Sequence, residues 1–135
     1  MFEVPQVIRL PFTDAAGVVF FARYFDLAHL AFEELFDHLG HPVPAELWRA
    51  EVGYPLVRSE AEYRRPLALG DRVAVQIEAE RVGRTSFTLR HRFVHREHGE
   101  VAVVRLTHVA IHVPTRTPVP LPEDLTEALR THLAE

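Results

Sequence analysis

No cysteine occurs among the 135 residues, which removes disulfides, thiolate metal sites and a cysteine nucleophile from consideration. Lysine is absent too, and all fifteen cationic residues are arginine. The guanidinium fork suits phosphate oxygens, although genome composition produces the same bias. Asparagine is missing and glutamine occurs only at Gln6 and Gln76, a pattern that goes with thermal adaptation. No apolar run approaches the ~18 residues of a membrane span. The opening MFEVPQVIRL lacks the charged and continuously apolar regions of a signal peptide, so a cytoplasmic protein is expected. A formal charge of −4 does not supply the basic field that nucleic acid or an anionic membrane surface requires. Ser59 and Ser86 are the only serines, and neither sits in a Gly-x-Ser-x-Gly elbow. What is present, 47% apolar and 25% charged residues, is an ordinary globular composition. Its length predicts one domain over residues 1–135.

Hydrophobic spacing orders that domain. Residues 2–11 read as a first strand. The strongest helix follows over roughly 21–39. Tyr24, Phe25, Ala28, Ala31, Phe32, Leu35, Phe36 and Leu39 fall on one face at 100° per residue, and Arg23, Asp26, Glu33, Glu34, Asp37 and His38 fall opposite. Gly40 and Pro42 mark its end. A short helical turn or loop starting at Trp48 leads to a strand near 56–64. DRVAVQIEAERV and RTSFTLRHRFVHR then alternate cleanly, with Val73, Val75, Ile77, Ala79, Phe87, Leu89 and Phe93 inward. EHGE (97–100) is a hairpin turn, and EVAVVRLTHVAIHV is a long last strand. Its four prolines exclude PTRTPVPLP from a sheet. A short amphipathic helix, about 122–134, closes the chain. One helix laid across an antiparallel sheet is a two-layer α+β design. The last strand carries Val101, Val103, Val109 and Ile111 on one face and Ala102, Val104, Leu106 and Ala110 on the other. A helix covers one face only, so a second subunit is expected on the other face or at an edge.

The chemistry concentrates in FTDAAGVVFFARYFD (12–26). It sets a carboxylate, Asp14, in a small-residue turn ahead of a helix start. Read alone, Asp14 terminates a strand and caps a turn. The His residues 91, 95 and 98 do not converge: on a strand the first two share a face and the third does not. No acid stands at a fitting spacing, so neither a metal nor another cofactor is expected.

The stretch Asp14-Ala15-Ala16-Gly17-Val18-Val19-Phe20-Phe21-Ala22-Arg23-Tyr24, with EYRRPLALGDRV (62–73), GRTSF (83–87) and TRTPVPLP (115–122), resembles the hot-dog-fold acyl-CoA thioesterases of the 4-hydroxybenzoyl-CoA thioesterase family. The likeness covers nearly the whole chain. It implies an antiparallel sheet wrapped around one long helix and hydrolysis of an acyl-CoA to free acid and CoA. It implies Asp14 as nucleophile or general base, the backbone N–H of Phe21, with that of Ala22, as oxyanion donor at the helix N-terminus, and Gly17 giving the ligand close access. Tyr24 falls on the family's tyrosine. Arg84, with Thr85 and Ser86, matches a phosphate-contacting position, and Arg64 and Arg65 are further candidates for the CoA phosphates. Some members carry His where Phe21 stands, so this chain resembles those relying on the carboxylate alone. Ala15 replaces the usual proline. The resemblance also implies a homodimer as catalytic unit and a homotetramer. Two rivals accompany this reading: a non-catalytic acyl-CoA-binding module, and other thioester chemistry on this fold such as acyl-ACP hydrolysis.

Overall fold

A computed structural model describes residues 1–43 and 51–132. Strand β1 (Phe2–Val7) is shorter than its apolar pattern predicts. Pro11 diverts the chain into a 3-10 turn at Leu10–Phe12 instead. Helix α1 (Arg23–His38) buries Tyr24, Leu27, Ala28, Ala31, Phe32, Leu35 and Phe36. Leu27 joins the expected stripe, while Phe25 and Leu39 lie half-buried at its margin. The helix stops as its sequence requires. Gly40 takes φ +82°, its N–H bonds the Asp37 carbonyl at 3.1 Å and the His41 N–H bonds that of Phe36 at 2.9 Å. That pair of bonds is a Schellman closure.

Strands β2 (Val52–Gly53), β3 (Leu56–Tyr63), β4 (Arg72–Val82), β5 (Ser86–His95), β6 (Gly99–Val109), β7 (Ile111–His112) and β8 (Thr117–Pro118) precede helix α2 (Glu123–Arg130). The start of the turn or loop expected from Trp48 lies outside the described residues. Five strands form one antiparallel sheet in the order β1-β4-β5-β6-β3. The predicted inward residues of β4 and β5 are all buried, and one contiguous core joins them to α1 and to Leu125 and Leu129 of α2. This is the α+β, sheet-around-helix architecture that the sequence implies.

One expectation is corrected. PTRTPVPLP does reach a sheet, because Thr117 and Pro118 pair with His112 and Ile111 in a small sheet ordered β2-β7-β8. Pro118 sits on the edge strand of that sheet, where a missing donor costs little. The outer face of the large sheet is not an apolar surface awaiting cover. Arg90 bonds Glu78 at 2.9 Å, Arg105 meets Glu80 at 3.1 Å and Arg92 bonds Glu100 at 2.6 Å. These cross-strand pairs lace the face together. Val101 and Val103 are buried within the protomer, 1% and 4% exposed, with Arg92 and Glu62 flanking Val103 in register. The unfinished surface is an edge. β3 has one neighbour, β6, and seven of its eight residues are exposed.

Candidate active site

The stretch around Asp14 folds back on itself. Thr13 bridges Val19, the Asp14 N–H bonds the Val18 carbonyl at 2.9 Å, and the Phe20 N–H bonds that of Phe12 at 3.0 Å. The loop between them closes through the Gly17 N–H on the Asp14 carbonyl at 3.0 Å, with Gly17 at φ +79°. Only glycine adopts that conformation without strain. A Cβ at Gly17 would meet nothing within 4 Å, so the backbone angle requires glycine there and crowding does not. This small hairpin is pinned to the body of the protein through Val18 bridging Ala68 and the Leu69 N–H on the Gly17 carbonyl. Asp14 is thus held a few residues across the hairpin from the entry to α1.

At that entry the amides of Phe21 and Ala22 have no acceptor among the described residues. They precede α1, where backbone donors are unspent and the helix dipole is positive. Phe20 and Phe21 are 44% and 60% exposed, large rings left in solvent beside those donors. The Asp14 carboxylate is exposed, and one oxygen accepts from the Ala16 N–H at 2.8 Å. That bond is the turn-capping role; the other oxygen has no hydrogen-bond partner among the described residues.

Tyr24 and Tyr63 lie in different surroundings. Tyr24 is 2% exposed. Its ring packs edge-on to Tyr63 and Phe93, and its hydroxyl accepts from the Leu67 N–H at 3.4 Å. Burial holds that hydroxyl above its ordinary pKa. Tyr24 therefore builds the core of this protomer. The tyrosine that faces outward at the site is Tyr63, whose hydroxyl donates to the Phe21 carbonyl at 2.9 Å. No spacing rule links residues 21 and 63, so the sequence alone gave no sign of this bond.

The basic residues divide. Arg64 is engaged by Glu62 and Glu100. Arg65 lines a cavity of about 720 Å³ with Arg72 and Arg96, bordered by Val18 of the Asp14 hairpin and by Ala68, to which Val18 is bridged. His95 and His98 also border it, their rings stacked at 4.6 Å, and His95 lies 3.8 Å from Asp71. His91 is separated from them in the core. Arg84 stands in the β4–β5 turn with Thr85, and Ser86 opens β5. Ser86 accepts from Arg81 at 3.0 Å. That turn lies at the far end of β4 from Arg72, roughly 30 Å away at ~3.3 Å per strand residue. Within one protomer, Arg84 and Asp14 do not meet.

The chain is similar throughout its length to known proteins. A family model for the Thioesterase-like superfamily matches residues 8–129. A 1,4-dihydroxy-2-naphthoyl-CoA hydrolase of Synechococcus elongatus is 35% identical over 130 residues, covering 96% of this chain and 95% of that protein. The enzyme of the same description from Rippkaea orientalis is 32% identical over 133 residues, covering 97% and 96%. Among solved structures, a 1,4-dihydroxy-2-naphthoyl-CoA thioesterase from Synechocystis aligns with a TM-score of 0.89 at 25% identity, covering 96% of this chain and 95% of that one.

Proposed function

The chain belongs to the Thioesterase-like superfamily, and from that membership we propose that it hydrolyses aromatic acyl-CoA thioesters, with 1,4-dihydroxy-2-naphthoyl-CoA the first candidate. The relatives that match over nearly the whole chain are described by that activity. The observation that carries the mechanism is the Asp14 hairpin set against the unspent amides of Phe21 and Ala22. A thioester carbonyl placed at the helix entry develops negative charge on oxygen as it is attacked. The Phe21 N–H and the positive end of α1 stabilise that charge. Asp14 either attacks the carbonyl carbon, expelling CoA thiolate and leaving an anhydride for water to open, or removes a proton from the attacking water. Both routes release free acid and CoA. Tyr63, bonded to the Phe21 carbonyl, orients the peptide that carries the oxyanion donor.

The catalytic unit in this reading is a dimer formed along the β3 edge. An exposed edge strand flanked by Leu56, Val57 and Tyr63 on the strand itself and by Phe20 and Phe21 at the helix entry invites pairing with a second copy. A two-fold axis through β3 reverses the strand ends. It carries the partner's Arg84 to the end of the sheet at which Asp14 lies, where it joins Arg65 as a candidate for the CoA phosphates. A tetramer would form from two such dimers. Release of free thiol, measured across a panel of aromatic, short and long aliphatic acyl-CoAs and one acyl-ACP, tests the reading. Fastest turnover of a hydroxylated aromatic acyl-CoA is expected, and absence of turnover on every member would leave a binding module.

A further inference from the structure

The cavity of about 720 Å³ beside the Asp14 hairpin gathers positive charge that no bond-making step uses. Arg65, Arg72 and Arg96 line it with His95 and His98, and its acids are Asp71 and Glu97. Three guanidiniums against two carboxylates make the wall cationic, on a chain whose formal charge is −4. In the body of the sheet arginines are matched: Arg90, Arg92 and Arg105 each meet a glutamate across the strands. Among the described residues Arg65, Arg72 and Arg96 form no ion pair.

The register makes that arrangement costly without a counterion. Val73 pairs with His95 where the β4–β5 ladder ends. Arg72 and Arg96 are therefore the next residues out on the two chains, and like charges set across a ladder repel. The nearest acid is engaged elsewhere: one Asp71 oxygen accepts from the Ala68 N–H at 2.8 Å. The His95 ring presents a donor. Its Nδ1 accepts from the Glu97 N–H at 3.0 Å, so the ring hydrogen is on Nε2. That atom lies 3.8 Å from Asp71, beyond hydrogen-bond length. His98, stacked on His95 at 4.6 Å and 25°, supports the ring in that position.

One loop joins this cavity to the Asp14 hairpin. Pro66, Ala68, Gly70 and Asp71 form part of the cavity wall. The same loop bridges Val18 through Ala68, and its Leu69 N–H bonds the Gly17 carbonyl at 3.0 Å. Asp71 closes the loop on both sides, its N–H on the Ala68 carbonyl at 3.0 Å and its carboxylate on the Ala68 N–H. A ligand that holds this wall also holds the anchor of Asp14.

We propose that this cavity binds the phosphate of a small phosphorylated metabolite through Arg65, Arg72 and Arg96, with His95 Nε2 as a further donor, and that occupancy steadies the Asp14 hairpin. A guanidinium fork matches phosphate oxygens two at a time. The volume is larger than a bare phosphate fills and falls in the range of small organic ligands. Two sources carry this chemistry: the phosphates of a CoA substrate, and a separate metabolite. The site is argued from charge and register, so it stands apart from the thioesterase reading.

Calorimetric titration of the intact protein with inorganic phosphate, at constant ionic strength in chloride, tests the site. Saturable binding of one phosphate per chain is expected. Arg72→Gln and Arg96→Gln should each weaken it about tenfold or more, as the loss of a charge-assisted hydrogen bond requires. Both positions are exposed. In phosphate-free buffer either substitution should leave the urea midpoint unchanged or raise it, because a like-charge neighbour is removed. Phosphate should raise the midpoint of the wild type and not that of the double variant, and should slow amide exchange at Leu69. Hydrolysis assays then identify the source. A competitive rise in KM for acyl-CoA on adding phosphate assigns the cavity to the substrate's own phosphates, and an unchanged KM assigns it to a separate metabolite. Absence of saturable phosphate binding, or equal binding by the wild type and both variants, overturns the inference. Binding that leaves Leu69 exchange unchanged overturns the coupling to Asp14. Failure to release thiol from any acyl-CoA overturns the activity reading alone, since the titration needs no turnover.

Discussion

Acid should begin to destabilise this protein before its carboxylates protonate, because two imidazoles are buried neutral in its core. His91 is wholly buried and its pKa is lowered to about 3 by desolvation, against the opposing pull of the Val104 carbonyl. His108 is lowered to about 4, again by desolvation. In the unfolded chain both titrate near 6.5. Between pH 6.5 and 4 the unfolded state therefore binds more protons than the native state, and stability rises with pH across that window. Stability is fully present above about 6.5 and is lost as the pH falls toward the folded values. Each imidazole contributes about 1.4 kcal/mol per pH unit. From pH 6.5 to 5 the two together remove about 3 kcal/mol, since the unfolded imidazoles are only half protonated at the start of that interval, and this is a large share of the 5–15 kcal/mol that ordinarily holds a domain. His29 and His132, also lowered by burial, act in the same sense. Glu100, held below the usual carboxylate range chiefly by its hydrogen bond from Arg92, loses its contribution only at lower pH, which leaves the pH 5–6.5 interval to histidine. Urea unfolding followed by circular dichroism at half-unit steps measures the slope. His108→Phe, which preserves the stack on Phe32 and Phe87, should lower that slope by about 1.4 kcal/mol per unit. A wild-type stability that is flat from pH 6.5 to 5, or a slope unmoved by His108→Phe, would refute the burial of neutral imidazoles as its cause.

Arg84→Ala should raise KM for acyl-CoA with little change in kcat, since phosphate contacts remote from the thioester contribute mostly uniform binding; an unchanged KM would turn attention to Arg65 and its neighbours Arg72 and Arg96. Gly17→Ala forces a side chain into φ +79° and should cost about 1–2 kcal/mol in the urea midpoint, with loss of turnover as the Asp14 hairpin shifts; a midpoint equal to wild type would mean the hairpin relaxes freely. Light scattering at micromolar protein should give a mass of two or four times 15.5 kDa. An active species of 15.5 kDa would defeat the shared site.

The strands and α1 were legible because their burial follows simple periods. Val73, Val75, Ile77 and Ala79 alternate, and the α1 stripe repeats at helical spacing. The Asp14 turn was legible for a different reason: Gly17 marks a conformation other residues avoid. Three features were not. Thr117 and Pro118 pair into a sheet because the Ile111–His112 backbone offers them an edge, which no local propensity contains. The outer face of the sheet could not be read from β6 alone, since its cover comes from Arg and Glu on β3, β4 and β5. The Tyr63 bond to Phe21 and the seating of His108 between Phe32 and Phe87 arise from residues distant in sequence. Inward-facing histidines at 91 and 108 on otherwise apolar strand faces were the available signal for that second, buried set.

The measurement that bears most directly on the account is single-turnover thiol release by Asp14→Asn beside the wild type, on the best substrate of the acyl-CoA panel, with CoA affinity determined in parallel. Asparagine keeps the shape of the side chain and can still accept the 2.8 Å bond from the Ala16 N–H, but it is neither a nucleophile nor a base. The account predicts a folded dimer that binds CoA as the wild type does and hydrolyses the thioester ~10²-fold or more slowly. Hydrolysis by Asp14→Asn at a rate near that of the wild type would contradict it and return Asp14 to the capping of its turn.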